Sequence, residues 1–301
     1  MISYKGLETR LKERGVRRSE LPELLGLSSR TVAKIGRGEK LSRAVIGKLA
    51  DFLSCRPEDI CREISDNPVL QRLRDEKSAG ISGGIYHEVQ VRMTYNSNRI
   101  EGSRLSEDQT RLIFETNTLD AGDGVSVDDL LETVHHFRAI DFVIDNAEEA
   151  LTPELIKRLH FILKHDTSDS RLDWFAVGDY KKRGNFVGGR ETAAPDEVGT
   201  LMDSLLAEYA QKDPVTLEDV VRFHVCFERI HPFQDGNGRV GRLIALKECL
   251  KHGITPFIIE DRKKLYYYRG LAEWDRERGF LMGTVLDAQD TFNSILSRTG
   301  V

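Results

Sequence analysis

The segment HPFQDGNGRVGR, residues 231–242, holds one histidine, one acid, a Gly-Asn-Gly run and two arginines. It follows directly on an amphipathic stretch, LEDVVRFHVCFERI. The residues after the glycines, VGRLIALKECL, read as helix, so the backbone N–H groups from Gly236 to Arg239, through Asn237 and Gly238, come at a helix start. Such a start is an anion site, because its N–H groups have no helical partner and the helix dipole adds positive potential. Glycine there permits the positive φ and close approach that a pyrophosphate cradle needs. Arg239 and Arg242 lie three apart on neighbouring helix positions, so two guanidiniums are available to one polyphosphate. Asp235 beside this nest would repel phosphate unless a cation lay between them, which points to Mg²⁺ held by one carboxylate, phosphates and water. His231, four residues before Asp235, has a near-neutral intrinsic pKa and is suited to take a proton from an incoming hydroxyl. These types and spacings suit nucleotidyl or phosphoryl transfer. The competing reading is a plain HPF turn whose arginines pair with an acidic body.

The elements that position this segment read as helices. From about residue 85 onward, "IYHEVQVRMTYNSNRIEG", "SEDQTRLIFET", "SVDDLLETVHHFRAIDFVIDNA", "TPELIKRLHFILKH" and "DEVGTLMDSLLAEYAQK" all carry helical periodicity. Ser106 with Gln109 forms a capping box, and Pro153 falls in a first turn. Only 174–195, WFAVGDYKKRGNFVGGRETAAP, reads as strand and turn, a small hairpin. The four cysteines show no CxxC spacing, and His135, His136, His160 and His165 lack the spacing of a zinc site. His224, on the apolar face of its helix, reads as a packed structural histidine. Tyr266–Tyr268 reads equally as a core aromatic run or as the source of an adenine-stacking ring.

Charge divides the chain in two. Of 44 Lys+Arg and 49 Asp+Glu, residues 1–65 hold 14 and 9, a net of +5 ahead of a body at −10. The basic part is helical and short-looped: "SELPELLG" and "LSSRTVAKIGRGEK" are two short helices joined by GLS, with Ser19 and Ser28 or Ser29 as N-caps. That is the requirement for a helix-turn-helix, whose second helix, about Ser28–Ile35, would present Ser29, Arg30 and Lys34 outward to DNA. The alternative is a solvated face on a module that binds protein. The stretch 66–84, with Pro68 and three glycines, reads as a linker. No apolar run approaches a membrane span and the first residues lack a signal-peptide core, so a cytoplasmic protein without membrane partners is expected.

The stretch "LLGLSSRTVAKIGRGEKLS…KLADFLSCRPEDI" resembles the Cro/repressor-like helix-turn-helix family, which implies DNA as a partner and a homodimer if a palindrome is read. HPFQDGNGRVGR resembles the Fic-family motif HPFx(D/E)GNGRxxR at every specified position. "GDYKKRGNFVGG" resembles the flap of that family, with Lys181 where arginine is common, and "KKLYYYRGL" its later Y-Y-x-A-L segment. The implied architecture is mainly α: a Fic-type helical bundle with a small β-hairpin flap over 85–301, preceded by an all-α helix-turn-helix domain over 1–65.

The implied activity is transfer of AMP from ATP, with Mg²⁺, to a hydroxyl side chain of a target protein, which includes the protein itself. By the resemblance, His231 is the base, Asp235 the metal ligand, and Gly236, Asn237 and Gly238 the cradle. Arg239 and Arg242 then take the β- and γ-phosphates. The flap residues Lys182, Arg183, Gly184, Asn185, Phe186, Val187, Gly188 and Gly189 would pin the target by strand pairing. "SNRIEG" matches the family's inhibitory pattern (S/T)xxxE(G/N) with Ser97 and Glu101, on a helix at about 88–102. That pattern implies that Glu101 occupies Arg242 and silences the enzyme. Read from the residues alone, Glu101 is a surface acid at the electrostatically poor end of a helix. The alternatives are a nucleotide-sensing transcription regulator, and de-AMPylation or another nucleotidyl transfer on the same fold.

Overall fold

The computed structural model describes residues 2–63, 67–120 and 124–299. It separates into two compact units, up to Gln71 and from Arg72 onward. The expected boundary at 65/66 lies outside the described residues.

In the first unit a two-residue antiparallel pairing, β1 (Ile2–Ser3) with β2 (Arg62–Glu63), closes four helices: α1 (Lys5–Glu13), α2 (Leu21–Leu25), α3 (Ser29–Gly36) and α4 (Arg43–Leu53). Leu7, Leu11, Leu21, Leu27, Ile35, Leu49 and Ile60 are buried together as its core. Ser19 does not cap α2. It falls inside a 3₁₀ turn, Arg18–Glu20, and α2 starts at Leu21 because Pro22 has no N–H to offer beyond a first turn. Gly26, left-handed at φ +63°, ends α2, and the Ser28 side chain accepts from Thr31 N to start α3. Ser29 and Arg30 are exposed on that helix and Lys34 is half-buried.

The division at Arg72 falls within α5 (Pro68–Ala79), and the second unit goes on with α6 (Ile85–Ile100), α7 (Glu107–Thr116), α8 (Val127–Asp145) and α9 (Pro153–Lys164). It continues with α10 (Val198–Tyr209), α11 (Leu217–Ile230), α12 (Asn237–Lys251), α13 (Lys264–Ala272) and α14 (Gly279–Thr299). The stretch read as a linker therefore contains a helix of 12 residues. Glu76 of α5 is buried, and its carboxylate accepts from Tyr86 N, capping α6.

Helix α12 lies at the centre and packs against α6, α8, α9 and α11. Nearly every residue from Asn237 to Leu250 is buried, polar ones included. Burial of Lys247 is tolerated because its ammonium donates to the carbonyls of Ala147 (3.1 Å) and Glu149 (2.6 Å) and to Glu248 (2.8 Å). Val220, Val221, Val225, Phe257, Tyr267, Trp274 and Leu281 are buried together in one hydrophobic cluster, to which α12 contributes Ala245. A small hairpin, β3 (Phe186–Val187) with β4 (Arg190–Glu191), is the strand content observed within 174–195. The preceding residues form a 3₁₀ turn and loop.

Candidate active site

The loop between α11 and α12 is built by the chain's own polar groups. His231 ends α11 in the left-handed region (φ 52°), and Gly236, left-handed at φ 78°, caps α12. Between them Phe233 is fully buried, its ring stacked on His160 of α9 with centroids 4.0 Å apart. The Asn237 side chain accepts from Phe233 N (2.8 Å) and donates to Phe233 O (2.9 Å). That amide therefore clamps the loop, and only the backbone N–H of Asn237 is left for the cradle.

The flap is anchored to the same loop. Lys181 N donates to Pro232 O (2.8 Å), and the buried Lys181 ammonium donates to Asn185 (2.9 Å), Thr192 (2.6 Å) and Ile230 O (3.4 Å). With no carboxylate among these partners, burial pushes its pKa down to about 8. Asn185 also turns inward, donating to Phe233 O at 3.2 Å. The remaining flap positions Lys182, Arg183, Gly184, Gly188 and Gly189 are exposed, as are Phe186 (70%) and Val187 (47%). Arg183 lies over the Trp174 ring at 4.7 Å.

His231 Nδ1 is 3.3 Å from the carbonyl of Glu228. A carbonyl only accepts, so Nδ1 carries the proton and Nε2 is left as the basic nitrogen. Burial lowers the imidazole pKa below its ordinary value, and nearby Lys181 lowers it further against the bond to Glu228 O.

Asp235 Oδ2 accepts from Lys164 Nζ (2.7 Å) and Arg239 Nη2 (3.3 Å). Burial raises its carboxyl pKa, but the charges of Arg239 and Lys164 outweigh this and hold it well below the ordinary range. Arg239 also pairs with Glu132 of α8 (2.5 Å), and Lys164 with Glu132 (2.7 Å) and Asp169 (3.1 Å). Neither Glu132 nor Lys164 stands out in the sequence. Each occupies a helix position that reads as surface charge.

Arg242 is held from α6. Its Nε donates to Ser97 Oγ (3.0 Å), and its Nη2 to Ser97 O (3.0 Å) and Glu101 Oε1 (2.7 Å). Nη1 is buried without a partner. A Cβ built on Gly238 would stand 2.2 Å from Glu101 Oε1, so that carboxylate oxygen lies directly on the glycine nest. The acid at the end of α6 thus has its partner, and both arginines of the motif are paired with acids.

Behind Arg242 lies a second polar group. His224 Nε2 and Tyr267 OH are 2.6 Å apart, and burial lowers the imidazole pKa to about 3. This is the packed histidine expected, and Tyr267 is a core ring rather than a free stacking face. Nearby, the Glu228 carboxyl is raised to about 8 by burial and then by the charge of Glu101, against Arg242. Its Oε1 has no hydrogen-bond partner. The missing side chain of Gly241 makes room for this cluster, since a Cβ there would meet His224 at 2.7 Å and Glu228 at 2.9 Å.

The donor set fits a divalent cation brought by phosphates. No group of three His, Cys, Asp or Glu among the described residues is disposed to hold a metal by itself, yet the Asp235 side chain is half exposed beside the nest. Among the described residues no helix is long and apolar enough to cross a membrane.

Fold and site together define a helical bundle built around a buried glycine nest, with an acid laid across it. Residues 150–249 match the model of the Fic/DOC family, and residues 7–66 match that of the Cro/C1-type HTH DNA-binding domain. The chain thus matches each of the two families over part of its length. It is similar to the protein adenylyltransferase Fic of Drosophila willistoni, 30% identical over 199 residues that cover 62% of this chain and 38% of that one. The Aedes aegypti protein of the same name is 29% identical over 188 residues, covering 60% and 36%. The chain thus spans less than two-fifths of the length of these curated relatives. Among solved structures, a Fic domain-containing signaling protein of Bacteroides thetaiotaomicron aligns over 76% of this chain and 90% of its own, with 25% identity and a TM-score of 0.62. Fic-1 of C. elegans, at 21% identity, 76% and 70% coverage and a TM-score of 0.58, shows the fold alone.

Proposed function

We propose that the protein is an autoinhibited protein adenylyltransferase. The target hydroxyl oxygen attacks the α-phosphorus of ATP, the bond from that phosphorus to the bridging oxygen breaks, and pyrophosphate leaves. His231 Nε2 takes the hydroxyl proton, which the Nδ1 bond to Glu228 O prepares it to do. The N–H groups at the start of α12 receive phosphate oxygens, and Arg239 and Arg242 neutralise the charge of the leaving group. Mg²⁺ bound through Asp235 would supply charge neutralisation at the α- and β-phosphates. The exposed edge of the flap, Phe186 and Val187, is open to pairing with an extended target segment.

The observation that carries this reading is Glu101. Its carboxylate occupies both the nest at Gly238 and the guanidinium of Arg242, as a phosphate oxygen would. A stand-in anion at that position supports both the phosphate site and the brake. The helix-turn-helix unit is read as binding DNA through Ser29, Arg30 and Lys34. The test of the enzyme reading follows label from ATP labelled at the α-phosphorus onto protein, for wild type, Glu101→Gly and Glu101→Gly/His231→Ala. Label on the Glu101→Gly protein alone supports transfer, base and brake together. Equal label on wild type and Glu101→Gly overturns the brake, and label surviving in the double variant overturns His231 as base.

A further inference from the structure

The phosphate site already contains a cation. The Lys164 ammonium, on a side chain only 2% exposed, stands between three carboxylates from three separate segments: Glu132 of α8 (2.7 Å), Asp169 (3.1 Å) and Asp235 (2.7 Å). Its oxygen on Asp235 is the same one that Arg239 reaches. A buried ammonium surrounded by acids is poorly replaced by water, so it holds its position until a stronger cation competes. The aliphatic stem of Lys164 also lies under the nest, 3.6 Å from where a Gly236 Cβ would stand. Arg239 of the motif also reaches Glu132 and Asp235, while Asp169 is paired with the Lys164 ammonium.

We infer that Lys164 is a positioning residue that makes metal binding conditional on nucleotide: it holds Asp235 as an ion pair in the empty protein and shares it with a divalent cation only when phosphates add their oxygens. Resting on the nucleotidyl-transfer reading, this assigns Lys164 a role that a structural ion pair would not have. By Coulomb's law the ammonium at 2.7 Å repels a second cation from the same carboxylate, and its removal leaves Arg239 as the charge paired with Glu132 and Asp235 and takes the ammonium from Asp169. The cation then enters as part of the metal–nucleotide complex and not before it.

Mn²⁺ binding read by electron paramagnetic resonance tests this on the full chain, with Mn²⁺ alone and with a non-hydrolysable ATP analogue, the latter in Glu101→Gly proteins so that the nest is open. Lys164→Met is expected to bind Mn²⁺ alone at least tenfold more tightly than wild type. Lys164→Arg, which keeps the charge, should behave as wild type, and the analogue should bring Mn²⁺ to protein with Lys164 intact. Equal affinity of Lys164→Met and wild type for Mn²⁺ alone, with the analogue arm still positive, overturns the role of Lys164 and leaves the nucleotide reading standing. No Mn²⁺ uptake with the analogue in any protein overturns the nucleotide reading itself and this inference with it. A measurement that needs no substitution in the cluster guards against misfolding of Lys164→Met. In ¹⁵N-lysine-labelled Glu101→Gly protein, Mn²⁺ with the analogue should broaden one slowly exchanging ammonium resonance. An unbroadened set of such resonances overturns the inference.

Discussion

Replacing Glu101 by glycine removes one charge-assisted hydrogen bond, from Arg242 Nη2 at 2.7 Å, and clears the carboxylate from the nest at Gly238. A bond of that kind is worth about 1.5–3 kcal/mol when one partner is buried and charged. On the proposed reading, incoming phosphate displaces it before Arg242 is available, and ATP loses that much binding energy to the brake. At roughly 1.4 kcal/mol per decade, ATP affinity should rise about 10- to 150-fold in Glu101→Gly. The substitution itself is mild for the fold. Residue 101 caps α6 rather than lying within it, and Ser97 keeps two hydrogen bonds to Arg242, which fix the guanidinium in place. Without ATP the variant should lose about 1.5–3 kcal/mol, because Arg242 loses that same charged partner, and ATP should restore it. Isothermal titration of ATP into wild type and Glu101→Gly gives the ratio directly, with a thermal melt to establish folding. An affinity unchanged within twofold in a folded variant would refute the claim that Glu101 and phosphate compete for one guanidinium.

Transfer by the Glu101→Gly protein should fall on the acid side as His231 protonates, with a midpoint below the ordinary imidazole value of about 6.5, because burial, and then Lys181, lower its pKa; a pH–rate midpoint above that value would refute His231 as the base. Glu228→Gln should change the pH dependence of stability. The folded carboxyl, at about 8 against an ordinary 4.5, is protonated, so the stability it contributes is complete below 4.5 and lost as pH rises through 8. Chemical denaturation at pH 6 and pH 9 should show the wild type losing up to a few kcal/mol relative to Glu228→Gln over that interval. Arg30→Ala, on the exposed face of α3, should weaken DNA binding and reduce its salt slope by about one, measured by fluorescence anisotropy at several salt concentrations.

What the sequence alone determined is contiguous. His231, Asp235 and the glycines lie within one short loop and helix start, so their spacing already implies a glycine nest with an imidazole and a carboxylate beside it, whatever encloses them. The turn at Gly26 and the caps at Ser28 and Ser106 are equally local, each a side chain or a positive φ acting within a few residues. The pattern around Ser97 and Glu101 was legible as a motif, but its partner lies 141 residues away, and only packing of α6 against α12 brings the carboxylate to Arg242. Glu132 and Lys164 left no signal, because an acid or a lysine on a helix reads as solvated until another helix covers it. Of the two readings of the motif arginines, the structure shows partners of an acidic body: buried guanidiniums require anions, and Glu101, Glu132 and Asp235 provide them, on the same groups that the proposed phosphates would take. The backbone geometry of the site is thus a property of neighbours in the chain. Its charge balance is a property of segments far apart in sequence, since a charge removed from water must be matched by whatever the fold sets beside it.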